Sequence, residues 1–263
     1  MRNHSVSFVI PTRNQAPFIE RCIDGCIEQA VPDSEIIVVD GCSTDGTQGI
    51  LATYGSQLRW LSEPDQGQSD ALNKGVKLAG GEVIAWINSD DYYPSAEIVR
   101  QIVSIFKTDP KMDIVYGDGL VTDANEKPLR KHRSWPVQRP QQILIHPSSF
   151  VMQPAVFFRR DLFLQVGGAD PTLHFALDYE LWLRMFTRAR TCYLPQVLAC
   201  ARYHPAAKTI RNMSTHIREL VRVKARYASV FRLSPSEWAR MAGGVAVLYL
   251  YFAAVKLRLY RAA

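Results

Sequence analysis

Apolar and polar positions alternate in blocks along the first half of the chain. Val6-Ser7-Phe8-Val9-Ile10, Ile36-Ile37-Val38-Val39 and Val83-Ile84-Ala85-Trp86-Ile87 have the length and β-branched content of strands, and residues 58–61 are read as a further short strand between them. Between them apolar residues recur every three to four positions. Phe18, Ile19, Cys22, Ile23, Cys26 and Ile27 predict a helix over 16–29, and a second runs to about Tyr54. A third covers 69–79 and is closed by Gly80-Gly81. Strands that alternate with helices predict an α/β fold with a largely parallel, doubly wound sheet. Right-handed crossovers would put the strands' carboxyl ends on one edge.

The pattern then loosens. It predicts a helix over 95–107, a strand over 114–116, a polar hairpin and long loop over 124–150, and a strand over 153–160. A short helix over 161–166 ends at Gly167-Gly168. A further helix carries Leu177, Leu181, Trp182 and Met185, and a strand spans 193–201. One domain over 1–210 is therefore expected, followed by a helical tail over 211–263. Ser234-Pro235-Ser236-Glu237 is a capping box with proline at the first helical position, opening a helix over 238–260.

Composition adds little: 47% hydrophobic and 21% charged residues fit an ordinary folded protein. Met1-Arg2-Asn3-His4-Ser5 has no apolar leader pattern, so a cytoplasmic location is expected. The five cysteines are odd in number and form no Cys-x-x-Cys pair, which points to reduced packing residues. Charge changes the picture more. Residues 201–263 hold twelve Lys or Arg against two Asp or Glu, which leaves the first 200 residues at −4 in a chain of net +6. A basic tail on an acidic body calls for an anionic partner. The uncharged stretch from Met241 to Val255 is fifteen residues, short of the ~20 that a span needs. With Trp238, Tyr249, Tyr251, Phe252 and Tyr260 around it and Lys256, Arg258 and Arg261 after it, it suits a helix lying in a membrane interface. An anionic membrane surface is thus the expected partner rather than nucleic acid; packing on the body or another subunit is the alternative.

Polar clusters fall where strands end. Arg13-Asn14 follows the first, Asp40 the second, Asp65 the third and Asp90-Asp91 the fourth. Ligands of open α/β sheets bind in the crevice outside these ends. Adjacent carboxylates repel unless a cation is near, and Mg²⁺ or Mn²⁺ takes oxygen ligands from one or two carboxylates together with phosphates; a helix cap is the plainer role for Asp90. Asp40 suits a base N–H or a ribose hydroxyl, or else an Asx-turn. Neither G-x-G-x-x-G after the first strand nor G-x-x-x-x-G-K-[ST] occurs, which argues against dinucleotide-dependent dehydrogenases and P-loop enzymes.

Ile10-Pro11-Thr12-Arg13-Asn14, Val39-Asp40-Gly41-Cys42-Ser43-Thr44-Asp45-Gly46-Thr47, the run from Glu63 to Gly75, Asn88-Ser89-Asp90-Asp91, Gln153-Pro154, Gly167-Gly168, the run from Leu177 to Arg184 and Tyr203-His204-Pro205 occur in this order. Over about residues 5–210 the chain resembles family 2 glycosyltransferases of the bacterial cell-surface polysaccharide type, with the GT-A fold. That resemblance implies a Rossmann-like, mostly parallel sheet with a nucleotide half over 1–118 and an acceptor half over 119–210. It implies an inverting, metal-dependent transfer of one sugar from a nucleotide-diphosphate donor, UDP- or dTDP-linked, to a lipid-linked or other envelope glycan at the cytoplasmic membrane face. Pro11, Thr12, Asn14, Asp40, Asp65, Asp70, Asn88 and Ser89 are the implied nucleotide residues. Asp90, Asp91 and His204 are the implied ligands of Mn²⁺ or Mg²⁺, with Asn88 in place of the first acid of the D-x-D triplet. Asp178 is the implied base, with Glu180 of the same helix as the alternative base. Arg13, Gln153, Arg202 and Lys208 are implied on the diphosphate or acceptor side. A Gln-x-x-Arg-Trp motif of processive members is absent, so single-sugar addition is expected. The other readings are a sugar-phosphate nucleotidyltransferase and a nucleotide-sugar-binding module without catalysis.

Overall fold

The structure is a computed structural model and describes residues 4–147, 149–204, 208 and 212–261. Among these, eight strands form one sheet. The first half contributes β1 (His4–Thr12), β2 (Ser34–Asp40), β3 (Arg59–Ser62) and β4 (Gly81–Trp86), all parallel, in spatial order β3-β2-β1-β4. α1 (Ile19–Glu28), α2 (Thr47–Thr53) and α3 (Gln68–Leu78) connect them. Both faces of β1 are covered: Phe8 and Ile10 belong to the core beneath α1, α2 and α4 (Ile98–Thr108), and Val9 to the core on the other side. A strand buried on both faces must be apolar throughout. α3 lies so close to β1 that a Cβ on Gly75 would come within 2.4 Å of Val9 Cγ1.

The second half departs from a parallel sheet. β5 (Ile114–Thr122) is followed by β6 (Pro128–His132), and β7 (Val156–Arg159) inserts between β4 and β5 antiparallel to both. β8 (Thr191–Arg202) runs parallel to β5 along its length, with register shifts at Gly117 and Asp118. The 124–150 stretch holds α5 (Gln141–Ile145) besides the expected hairpin strand.

The face opposite α1 is covered by α3, α6 (Arg160–Gln165), α7 (Leu177–Phe186) and α8 (Met213–Val230). Ile217 is buried on α8, and Leu220, Val223, Tyr227 and Ala228 join the same core as Leu181, Trp182 and Met185 of α7. The first tail helix therefore seals the body. α9 (Pro235–Arg261) begins with the expected capping box: Ser234 N–H donates to Glu237 Oε2 at 2.9 Å, and Glu237 N–H to Ser234 Oγ at 3.3 Å. Met241 is buried, and a Cβ on Gly244 would touch Pro147 at 3.2 Å, so this side of α9 rests on the α5 region. Trp238, Val247, Tyr249 and Leu250 are exposed. Among the described residues no helix is long and apolar enough to cross a membrane. The side chains of Tyr251, Phe252, Lys256, Arg258, Tyr260 and Arg261, and all of Pro205, lie outside the described residues.

Candidate active site

Thr12 and Asp40 end neighbouring strands in register, so their side chains stand together at the carboxyl edge. Both are buried, and Thr12 Oγ1 has no hydrogen-bond partner among the described residues. Asp40 is held from below: Ser43 donates from its N–H (3.1 and 3.2 Å) and its hydroxyl, and Ser62 Oγ donates at 2.6 Å. Asp40 thus accepts from its own loop three residues on, not two as in an Asx-turn, and its place beside a Thr12 hydroxyl unpaired among the described residues suits a polar ligand. Asn14, in left-handed backbone at φ 53°, joins the two loops, donating from its N–H to Ser43 Oγ and accepting from Thr44 N–H. Pro11 is buried in β1, and Arg13 is exposed at the rim.

Asp65 closes the next side. It accepts from Gly67 N–H at 2.8 Å, and a Cβ on Gly41 would collide with its Oδ2 at 2.4 Å. Only glycine lets the Asp65 carboxylate lie against this backbone. Asp70 is occupied within its helix start, accepting from Gln66 N–H and pairing with Lys74 at 3.3 Å.

The Asn88-Ser89-Asp90-Asp91 turn divides its polar groups between inside and outside. The Asn88 amide accepts from Gln68 at 2.6 Å and donates to Gln153 at 2.7 Å, while Gln153 donates to the Trp86 carbonyl. Gln153 is thus a brace beneath Asn88. Ser89 is buried. Asp91, expected next to Asp90 on a cation, turns inward instead. It is buried, accepts from Arg202 N–H and Asn88 Nδ2, and burial with the adjacent Asp90 charge pushes its carboxyl well above the usual range. Asp90 faces out, with Oδ2 3.1 Å from His204 Nε2. Arg202, expected on the diphosphate or acceptor side, pairs with Glu126, stacks over Tyr92 at 4.8 Å and donates to the Asp90 carbonyl. It secures the turn from behind.

Among the described residues no three His, Cys, Asp or Glu side chains gather into a metal cage. Asp90 and His204 are a carboxylate and an imidazole at one edge, which fits a cation completed by diphosphate oxygens and water. Asp91, facing the interior, does not belong to that set.

Asp178 opens α7, partly exposed. Its carboxylate accepts from Tyr179 N–H at 2.7 Å, pairs with no basic side chain among those described, and is pushed up to about 6 by desolvation. Glu180 faces the other way: it is buried, bound by Arg184 and by the Tyr227 hydroxyl at 2.6 Å, which removes it as a base. The strap before α7 reaches the loop of Asp65 and Gly67, because a Cβ on Gly67 would come within 2.9 Å of His174 Nδ1. Lys208 Nζ lies 5.1 Å from the Phe175 ring in the fields of Asp65 and Glu219.

Residues to which the sequence assigned no such role support these groups. Ser62 holds Asp40, Gln68 holds Asn88, and Glu219 and Lys224 of α8 bind the surroundings of α7. Gln68 lies inside a recognisable motif, whereas Glu219 and Lys224 act across more than forty residues and leave no local signal.

Comparison with known proteins bears on this geometry. The Glycosyl transferase family 2 model matches residues 7–167. An uncharacterized glycosyltransferase of Rickettsia prowazekii is 30% identical over 78% of this chain and 65% of its own length. The PGL/p-HBAD biosynthesis glycosyltransferase of Mycobacterium tuberculosis is 30% identical over 73% of this chain and 75% of its own length. The chain spans only 36% of a Rickettsia bellii relative. Among solved structures, S. aureus TarS 1–349 in complex with UDP aligns with a TM-score of 0.64 and 20% identity, over 84% of this chain and 64% of that one. The mannosyltransferase PcManGT of Pyrobaculum calidifontis, in complex with GDP-Man and Mn²⁺, gives 0.59 and 21%, over 99% and 83%. The solved structures carry the GT-A fold and the sequence match carries the family: the chain belongs to glycosyl transferase family 2.

Proposed function

We propose that the protein moves a single sugar from a nucleotide-diphosphate donor to a hydroxyl of a lipid-linked or other envelope glycan acceptor, with inversion. The observation that carries this reading is Asp178: a carboxylate that pairs with no basic side chain among the described residues, held at about 6, at the start of the helix that follows the strap packed against the Gly67 loop. A base near 6 is deprotonated at neutral pH yet still accepts a proton as the acceptor oxygen loses electron density. TarS with UDP and PcManGT with GDP-Man support a nucleotide-linked donor, UDP- or dTDP-linked here. The mycobacterial PGL/p-HBAD relative supports an envelope lipid acceptor.

In the proposed reaction Thr12, Asp40 and Asp65 bind the nucleoside at the sheet edge. The acceptor O–H gives its proton to Asp178 while its oxygen attacks the anomeric carbon. The bond from that carbon to the phosphate oxygen breaks, and its electron pair leaves with the nucleoside diphosphate. Asp90 and His204 would hold Mn²⁺ or Mg²⁺, which when bound offsets charge on the departing diphosphate. Arg13 and Lys208 stand at the rim as further cations. The exposed apolar side of α9 and the basic tail would seat the enzyme on an anionic membrane at its cytoplasmic face.

Incubation with a panel of nucleotide sugars and Mn²⁺ or Mg²⁺ tests the reaction class. Release of nucleoside diphosphate is expected. Pyrophosphate release from a nucleoside triphosphate and a sugar phosphate would identify a nucleotidyltransferase instead, and binding without turnover a non-catalytic module.

A further inference from the structure

Glu219 has no part in the reaction above, yet it is buried at 7% exposure. Its carboxylate accepts three consecutive backbone N–H groups: His174 at 3.1 and 3.2 Å, Phe175 at 2.7 Å and Ala176 at 3.0 Å. α7 starts at Leu177 with no side-chain cap on its N-cap residue, Ala176. Donors ahead of a helix start need partners from elsewhere, and α8 supplies one carboxylate for all three.

The same strap is fixed on its other side to α3. Ser69 Oγ donates to the Leu173 carbonyl at 2.8 Å, and Asn73 exchanges two bonds of 2.8 Å with Ala169. The donor-side helix therefore holds the strap at Ala169 and Leu173, and Glu219 holds its last three residues before Leu177 and Asp178.

We propose that Glu219 is a positioning residue for sugar transfer, setting the start of α7 and with it the place of the Asp178 carboxylate over the donor loop. This rests on the reading of Asp178 as the base. Without Glu219, the N–H groups of 174–176 must find another acceptor. Asp178 stands in the next turn and is drawn toward them, away from the acceptor hydroxyl. Donor binding is spared, because Ser69 and Asn73 keep their own bonds to the strap. Glu219 lies outside residues 7–167, the span of the family match.

The test uses the full chain with Glu219→Ala, Glu219→Gln, Asp178→Asn and, as a control for core loss in α8, Val223→Ala. Turnover is measured on a nucleotide sugar the parent protein consumes, and UDP or dTDP binding with Mn²⁺ by calorimetry. Glu219→Ala is expected to lose roughly 10- to 100-fold in kcat from misplacement of the reacting group, with nucleotide affinity kept within about threefold. Glu219→Gln keeps one carbonyl oxygen for Phe175 and Ala176 and should lose less. Val223→Ala should lower the melting temperature and keep kcat. A folded Glu219→Ala with parental kcat overturns the proposal, as does a Val223→Ala that loses kcat to the same extent. Asp178→Asn with parental turnover would instead defeat the reading of Asp178. An inactive Asp178→Asn beside a fully active Glu219→Ala would defeat the role of Glu219 alone.

Discussion

At the scale of single residues, two carboxylates of α7 are separated by environment. Glu180 is held by Arg184 and Tyr227, whereas Asp178 accepts from Tyr179 N–H at its own helix start, pairs with no basic side chain among the described residues, and has a desolvated carboxyl at about 6. The sign of the pH effect follows. The base works deprotonated, so kcat should be flat above about pH 6 and fall about tenfold per unit below it. Asp178→Asn removes the base and should lower kcat roughly 10²–10⁴-fold while nucleotide still binds. A kcat that rises on acidification, or an Asn variant with parental turnover, contradicts the assignment. The strand-end places of Asp40, Asp65 and Asp90 were readable in sequence, because each follows a strand-like run, whereas Thr12 was marked only by the family resemblance. The inward turn of Asp91 was not readable. It depends on the N–H of Arg202, 111 positions away on β8, and two adjacent acids look alike until that strand is placed.

At the scale of elements, the parallel first half followed directly from apolar runs separated by helical periods. The second half was legible only as elements. That β7 inserts between β4 and β5 depends on which edges remain open, and no local periodicity records that. Least legible was α8: its sequence reads as a helix over 215–231 with a basic face of Arg218, Arg222, Lys224 and Arg226, but only the three arginines point outward and Lys224 is buried. Its ammonium is buried and donates to the carbonyls of Leu144 (2.6 Å) and His146 (2.5 Å) and to the Tyr179 hydroxyl (3.0 Å). Burial works against this charge, pulling it down to about 7, and three acceptors match its three N–H bonds. The lysine thus joins α8 to the end of α5 and to α7. Lys224→Met leaves those acceptors without a donor, at a cost of about 1–3 kcal/mol. The melting temperature should drop by roughly 3–10 °C; an unchanged melting temperature would show that the clamp contributes nothing.

At the scale of the whole molecule, charge and apolar exposure are segregated together. The body is slightly acidic, the last sixty-three residues carry +10, and α9 shows Trp238, Val247, Tyr249 and Leu250 to solvent. Each Lys or Arg near an anionic surface contributes about 1 kcal/mol, screened by salt. Flotation with phosphatidylserine-containing liposomes should carry the protein at low salt and release it at high salt. Protein that stays unbound at low salt removes membrane attachment from the account. Such attachment would place Asp178 and the sheet edge within reach of a lipid-linked acceptor, but the chemistry stands apart from it. The central claim is a single displacement with Asp178 taking the proton, and its most direct test is the stereochemistry of the bond formed. Proton NMR of the sugar first transferred or hydrolysed from an α-linked nucleotide sugar should show the β-anomer. The α-anomer as first product would contradict the account.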